Sequence, residues 1–230
     1  MNESADPNWW LSSGAYWYQV TGSSKTVQGS LADNDYWRLL YARSNPEDTD
    51  NGYHPQNIFR LATRSQWQNY RQTAYFKINN YNLSASANRN ASNGLFLFNR
   101  YQDANTLYYT GVRVDGAVVI KKKYAGNYYT MAYNKILPGT YDRATSPNLL
   151  PQQTWYGVRS EVQTNPDNSV TVKIFVDNGR TGTWTLALAA TDGDGLYGGT
   201  PAIRNSGYAG LRTDFMDAEF SDYSMVSGQF

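Results

Sequence analysis

The chain of 230 residues has no cysteine, one histidine and four glutamates. The absence of cysteine excludes a disulfide scaffold, thiol catalysis and a cysteine-ligated zinc site. No apolar run reaches the roughly 18 residues that a membrane helix needs, so we expect no membrane partner. The net charge of +1 gives no global attraction to nucleic acid. Stability must therefore come from a buried core, and function from a local site.

Aromatic residues are abundant instead, with 20 Tyr, 7 Trp and 8 Phe. Aromatic and β-branched residues that alternate with polar ones, bounded by Gly, Asn, Asp and Pro, are typical of strands. They predict strands over 73–79, 94–101, 107–116, 117–124, 127–133, 155–164, 170–179 and 183–190, and two more within 207–225. A short helix is predicted near 63–70. The pattern favours an all-β, antiparallel β-sandwich that forms a single domain over residues 1–230.

The middle of the chain carries an excess of positive charge. Residues 100–135 contain six bases and two acids, a local charge of +4. Tyr109, Gly111 and Arg113 share one face of a predicted strand, because strand side chains alternate. Gly111 leaves space between them, as expected where a ligand approaches the backbone. These features favour an anionic ligand on this face, and a solvated strand face is the simpler alternative.

Three segments resemble the concanavalin-like (laminin-G-like) jelly-roll superfamily. They are GLFLFNRYQDANTLYYTGVRVDGAVVIKKK (94–123), WYGVRSEVQTNPDNSVTVKIFVDNG (155–179) and GYAGLRTDFMDAEFSDY (207–223). The resemblance covers roughly residues 55–225 and implies a concanavalin-like jelly roll. Members of this superfamily include lectins, carbohydrate-binding modules, glycoside hydrolases and polysaccharide lyases, so the fold alone does not give the function.

The available side chains favour one enzyme class of this fold over another. Retaining hydrolases would show a Glu-x-Asp-x-x-Glu strand with two close carboxylates, and the chain has no such spacing. Lyases that act by β-elimination on a uronic acid need Arg, Asn or Gln to neutralise the carboxylate. They also need a base and an acid, commonly His and Tyr. The chain contains these residue types, and in this set of side chains it resembles glucuronan-lyase-like and alginate-lyase-like enzymes.

Candidate site residues follow from that chemistry. The base is predicted to be His54 or a tyrosine, with Tyr109 as the first choice among the tyrosines. The alternative for His54 is a loop histidine bonded to a nearby carboxylate. The predicted catalytic group is His54, Tyr109, Arg100 and Arg113. The predicted substrate-binding group is Gln56, Asn57, Arg60, Asn99 and Lys121. For Arg100 and Arg113 the alternative is pairing with acids on neighbouring strands.

The elimination needs no cofactor, but the sequence offers ligands for a structural Ca²⁺. The acidic run PEDTDNG (46–52) offers carboxylates and loop carbonyls, which are the ligands that Ca²⁺ prefers. Asp48 and Asp50 are the predicted metal ligands.

The leading hypothesis is a polysaccharide lyase that cleaves a uronic-acid polymer by β-elimination. The alternatives are a non-catalytic carbohydrate-binding module or lectin, and an adhesive laminin-G-like domain with a protein partner. We expect an anionic polysaccharide ligand, a monomer and a secreted protein. The last expectation rests on the polar segment 1–8, which is typical of a mature N-terminus after removal of a signal peptide.

Overall fold

Two antiparallel sheets of seven strands each pack face to face in the computed structural model, which describes residues 6–230. The predicted all-β sandwich is therefore confirmed. The predicted domain over 1–230 and the predicted mature N-terminus both include residues 1–5, which lie outside the described residues.

The strand order of the first sheet is β1-β4-β13-β6-β7-β8-β9. Its strands are β1 (Trp9–Ser13), β4 (Ile58–Trp67), β6 (Gly94–Asp103), β7 (Thr106–Arg113), β8 (Ala117–Tyr124), β9 (Asn127–Lys135) and β13 (Gly207–Asp214). The strand order of the second sheet is β12-β11-β10-β5-β14-β3-β2. Its strands are β2 (Tyr18–Val20), β3 (Ser23–Lys25), β5 (Tyr70–Tyr81), β10 (Trp155–Thr164), β11 (Val170–Asn178), β12 (Thr185–Asp192) and β14 (Met216–Ser227).

The main core lies between the sheets and follows the alternation of each strand. In β6, Leu95 and Leu97 point into this core, and each such side chain contributes about 1.5–3 kcal/mol on burial. Phe96 and Phe98 point the other way and form a second buried cluster on the outer face of the first sheet. Strand β6 is thus buried on both faces, as its continuous apolar run predicts. The second cluster becomes the floor of a groove.

The helix predicted near residues 63–70 is wrong, because β4 runs through to Trp67 and β5 begins at Tyr70. The structure instead has helix α1 (Tyr36–Ser44), a 3₁₀ turn at Pro55–Asn57 and a single helical turn α2 (Leu196–Gly199). Asp35 caps α1 by accepting hydrogen bonds from the backbone N–H groups of Trp37 and Arg38. Only Tyr41 of this helix is buried, so the helix has no apolar stripe from which it could be predicted.

A buried ion pair joins the two sheets at one edge. Lys122 Nζ lies 2.8 Å from Asp192 Oδ2, and both side chains are fully buried. Charge attraction in the dry interior holds this pair together. Tyr108 donates its hydroxyl to the same carboxylate oxygen and accepts from the Ile203 N–H. This cluster fixes the loop after β12 to the core.

We predict that Lys122→Met lowers the free energy of unfolding by about 3–5 kcal/mol, because it leaves the Asp192 carboxylate buried without its counter-charge. Urea unfolding followed by circular dichroism measures the change. Adding Asp192→Asn to Lys122→Met should recover part of the loss, since asparagine is neutral and still accepts from Tyr108. A loss below about 1 kcal/mol for Lys122→Met would contradict this account of the pair.

Candidate functional site

A groove crosses the outer face of the first sheet. Alternation sends Leu61, Leu211 and Ile120 into the core, and it therefore turns their neighbours Arg60, Arg212 and Lys121 outward. Register then brings these outward residues together across the strands. Arg60 is paired with Arg212, Tyr109 with Lys121, and Lys123 with Tyr128.

The groove has two halves of different chemistry. The aromatic half, of about 330 Å³, is lined by Ser12, Ser13, Phe98, Tyr101, Ala104, Leu107 and Lys123. The polar half, of about 440 Å³, is lined by Asp48, Asn57, Ile58, Asn88, Asn90, Ser92, Asn93, Lys121, Asp214 and Phe215. Both halves share four residues, which we call the central residues: Arg60, Tyr109, Tyr128 and Arg212. A long ligand lying in the groove would cross the central residues in its middle.

The two central guanidinium groups differ in their partners, since Asp214 pairs with Arg212 and not with Arg60. Arg212 donates from Nε to Asp214 Oδ1 at 2.8 Å. Although burial acts to lower it, the pKa of Arg212 is raised by the charge and hydrogen bond of Asp214. Arg60 donates only to Ser13 Oγ and the Ile58 carbonyl, at 3.5 and 3.4 Å, and has no ion pair within residues 6–230. Burial and the charge of Arg212 lower the pKa of Arg60. An anion in the groove would relieve this repulsion.

The two central tyrosines have different acidities. Burial raises the pKa of Tyr109, whose ring packs edge-on against Phe96 at 5.5 Å between centroids. Burial also acts to raise the pKa of Tyr128, but the positive charges of Arg212 and Lys123 outweigh it and lower that pKa below its ordinary value. The two ring centroids are 6.1 Å apart. Neighbouring titratable groups whose pKa values diverge are typical of an acid and base pair.

Two lysines flank the central residues. Lys121 and Lys123 point to the groove, whereas Lys122 points into the core, as strand alternation predicts. Lys123 Nζ lies 4.7 Å from the Tyr128 ring centroid, and Lys121 Nζ lies 6.0 Å from it. Burial, followed by the charge of Arg113, lowers the pKa of Lys121. Positive charge thus extends into both halves of the groove.

Five of the residues predicted from sequence line the groove: Tyr109, Arg60, Lys121, Asn57 and the predicted metal ligand Asp48. Arg113 shares the outer face of β7 with Tyr109 but donates to Asp115 Oδ2 and to the Ala91 carbonyl. The space above Gly111 between them is filled by protein, since an added Cβ would lie 2.3 Å from Phe96 Cδ1. Gly111 therefore makes room for the aromatic floor and not for a ligand.

Three other predicted residues, Arg100, Asn99 and Gln56, lie away from the groove. Arg100 is fully buried and donates to the carbonyls of Gln68 and Ile203. A bulge in β6, with φ of 48° at Arg100, turns its side chain inward. Asn99 lies between the sheets and accepts from Ser160. Gln56 is fully buried, where its amide donates to the Gly29 carbonyl and to Asp217.

His54 is not among the residues that line the groove, and both of its ring nitrogens are engaged. Nδ1 lies 2.9 Å from Asp50 Oδ2, and Nε2 lies 2.9 Å from Ser30 Oγ. The predicted alternative, a loop histidine bonded to a carboxylate, describes this contact with Asp50. The structure does not bring His54 together with Tyr109, Arg100 or Arg113.

The predicted metal ligands are occupied by hydrogen bonds. Asp48 Oδ1 accepts from Ser86 and Asn88. The two oxygens of Asp50 accept from Ser84, Asn57 and the His54 ring. Among residues 6–230, no group of three or more His, Asp or Glu side chains could hold a metal ion. Asp48 and Asp50 therefore do not fit a Ca²⁺ site.

Two of the central residues, Arg212 and Tyr128, were not among the predicted site residues. Arg212 lies in GYAGLRTDF and Tyr128 in NYYTMAY, both of which the sequence predicts as strands. Their period-2 pattern gives the face on which each lies, but it does not give the neighbouring strand.

Within the described part of the chain, no helix is long and apolar enough to cross a membrane.

Comparisons with known proteins support the fold. No protein-family model matches the chain, and no curated protein sequence matches it. The carbohydrate-binding module CBM66 from Bacillus subtilis has a similar structure, with a TM-score of 0.58 and 14% identity over 95% of each chain. The VIP36 exoplasmic/lumenal domain in its Ca²⁺-bound form gives a TM-score of 0.53 at 7% identity, over 99% of this chain and 86% of that one.

The GH43 protein BlXynB (K247S mutant) from Bacillus licheniformis gives a TM-score of 0.52 at 10% identity, over 93% of this chain and 35% of that one. At these identities the likeness shows the fold alone. The chain thus has the concanavalin-like jelly-roll fold that its sequence resembles.

Proposed function

We propose that the chain is a polysaccharide lyase that cleaves a uronic-acid polymer by β-elimination in the groove. The observation that carries the proposal is the set of central residues. Two guanidinium groups lie beside two tyrosines whose pKa values are moved in opposite directions. The similarity to a carbohydrate-binding module supports a sugar ligand by analogy of fold.

Arg60 and Arg212 would bind the carboxylate of the uronic acid. Each has guanidinium donors beyond the contacts described above, and Arg fits a carboxylate as a planar fork. Removal of the C5 proton moves negative charge onto this carboxylate. Preorganised cations at that position stabilise the developing charge more than they would in water. Lys121 would contact a neighbouring part of the same polymer in the polar half. The Asn57 side chain is fully buried and donates to the Asp48 carbonyl and to Asp50 Oδ2, so it would support the wall of the groove and not bind the polymer.

The two central tyrosines, Tyr128 and Tyr109, would carry out the proton transfers. Tyr128, as phenolate, takes the C5 proton, and the electron pair of the C–H bond forms the C4–C5 double bond. The C4–O4 bond breaks, and the leaving oxygen takes the proton of Tyr109. The raised pKa of Tyr109 keeps this proton in place until then. Protonated Tyr128 and deprotonated Tyr109 then exchange a proton with solvent to complete the cycle. This assignment makes Tyr109 the acid and Tyr128 the base.

An anionic polysaccharide would lie along the whole groove, since Lys121 and Lys123 carry positive charge on either side of the centre. Such polymers are extracellular, so we also propose a secreted protein that works as a monomer.

Binding without cleavage is the second candidate function. The aromatic half supports it, because Phe98 and Tyr101 lie with ring centroids 5.5 Å apart at the floor and edge of the groove. Aromatic rings bind the C–H faces of sugars without any chemistry. A protein of this kind would be retained on a polysaccharide affinity gel and would release no unsaturated product.

Tyr128→Phe should lower the rate of elimination by about 10²–10⁴-fold, because it removes the base. A screen of alginate, glucuronan, pectin and glycosaminoglycans for ultraviolet absorbance of unsaturated ends identifies the substrate and measures the rate. Tyr36→Phe, on the exposed side of α1, is the matched control and should keep full activity. If wild type gives no absorbance rise on any polymer but is retained on the gel, the binding function replaces the lyase.

Arg212→Lys should lower kcat/KM by about 10²–10³-fold, since lysine keeps the charge but loses the fork that would hold the carboxylate. Arg43→Lys, an exposed change on α1, provides the control. Initial rates on the polymer identified in the screen give kcat/KM for wild type and for both variants. Equal kcat/KM for Arg212→Lys and wild type would contradict the carboxylate-binding role.

The rate should rise with pH as Tyr128 loses its proton and fall as Tyr109 loses its own. Because the pKa of Tyr128 is lowered, the midpoint of the rising limb should lie below the ordinary tyrosine value of about 10. A pH profile of kcat/KM tests this. In Arg212→Met the rising limb should move to higher pH, because the largest positive influence on Tyr128 is gone. An unmoved limb in that variant would contradict the assignment of the base.

A further inference from the structure

We propose that Ser30, His54 and Asp50 form a second catalytic site that hydrolyses esters. Ser30 Oγ lies 2.9 Å from His54 Nε2, and His54 Nδ1 lies 2.9 Å from Asp50 Oδ2. A hydroxyl, an imidazole and a carboxylate in this order are the parts of a nucleophilic triad, which is recognised by geometry and not by order in the chain. This site is separate from the central residues of the groove.

The hydrogen bonds determine the tautomer of the imidazole. A carboxylate only accepts, so Nδ1 must carry the proton that it donates to Asp50. Nε2 of the neutral ring is then an acceptor for the Ser30 hydroxyl. This is the arrangement in which a histidine can take a proton from a serine nucleophile.

Asp50 is held rigidly in its orienting position. Its Oδ1 accepts from Ser84 Oγ at 2.5 Å, and its Oδ2 accepts from Asn57 Nδ2 at 3.1 Å as well as from the histidine. The turn that carries it packs tightly against helix α1. A Cβ at Gly52 would lie 1.9 Å from the Arg38 carbonyl oxygen, so only glycine fits there. These contacts supply the outer support that a triad carboxylate needs.

The backbone on both sides of Ser30 is also fixed, while its side chain is exposed. The Gly29 N–H donates to Asp217 at 2.8 Å, and the Leu31 N–H donates to the Tyr53 carbonyl at 2.9 Å. Within residues 6–230, the N–H groups of Ser30 and Ala32 donate to no protein acceptor. They are donors next to the nucleophile that could stabilise an oxyanion.

The reaction is written as a two-step hydrolysis. Ser30 Oγ attacks the ester carbonyl carbon, and its proton passes to His54 Nε2. The alcohol leaves with that proton, which gives an acyl-serine. Water then attacks the acyl-serine, loses a proton to Nε2 and releases the carboxylic acid as Ser30 regains the proton. No oxidant or other co-reactant is needed.

The exposure of Ser30 favours a short acyl ester carried on a larger alcohol. Asn57 joins the two sites, since it lines the polar half of the groove and donates to Asp50. An O-acyl group on a polysaccharide is therefore the substrate class that fits this position.

The test uses the full chain with a fluorophosphonate probe and p-nitrophenyl acetate, neither of which requires the groove chemistry. Wild type should be phosphonylated at Ser30, as located by peptide mass spectrometry. Ser30→Ala should remove this label, and Ser30→Ala and His54→Gln should each lower acetate hydrolysis by about 10²–10⁴-fold. Ser65→Ala, a change at an exposed serine on β4, should match wild type.

Circular dichroism of each variant confirms that it is folded, and Ser30→Ala removes only one exposed hydroxyl. No label on Ser30 in folded wild type, or equal hydrolysis by wild type and Ser30→Ala, overturns the second site. A polymer screen that is negative for elimination leaves this result unaffected, so failure of the lyase and failure of the second site are distinguishable.

Discussion

The repulsion between two guanidinium groups, Arg60 and Arg212, determines the chemistry of the groove. They are paired across adjacent strands, and Asp214 compensates only one of them directly. The remaining positive charge lowers the pKa of Tyr128, and it is the basis on which we propose an anionic ligand. The fold tolerates these charges, because the opposite face of the same strands packs in the main core. The sheet can therefore hold buried charge on its outer face without losing its packing.

Strand alternation predicts much of this architecture, including the face on which Tyr109 and Lys121 lie. It does not predict strand order. Arg60 and Arg212 are far apart in the sequence and meet only because β13 lies between β4 and β6. Arg100 shows a second limit, since the bulge after Asn99 turns its side chain into the core. Such a bulge depends on buried partners from distant loops, and a local pattern does not contain them.

The sequence predicts His54 as a base that works with groove residues, but its partners in the structure are Ser30 and Asp50. Its contact with Asp50 is local, four residues away, and it is one of the alternatives that the sequence supports. Ser30 comes from a separate loop that β14 and the 3₁₀ turn hold in place through Asp217 and Gln56. Only the folded chain brings this hydroxyl to the imidazole. The proton transfers proposed for the groove therefore fall to its two central tyrosines.

The central claim is that groove cations make Tyr128 unusually acidic. Carbon-13 NMR of ring-labelled tyrosine, assigned with Tyr128→Phe and titrated with pH, measures the pKa of Tyr128 directly. We expect a value below the ordinary tyrosine pKa of about 10 in wild type, and a higher one in Arg212→Met. A Tyr128 pKa at or above about 10 in wild type, unchanged by Arg212→Met, would contradict the account.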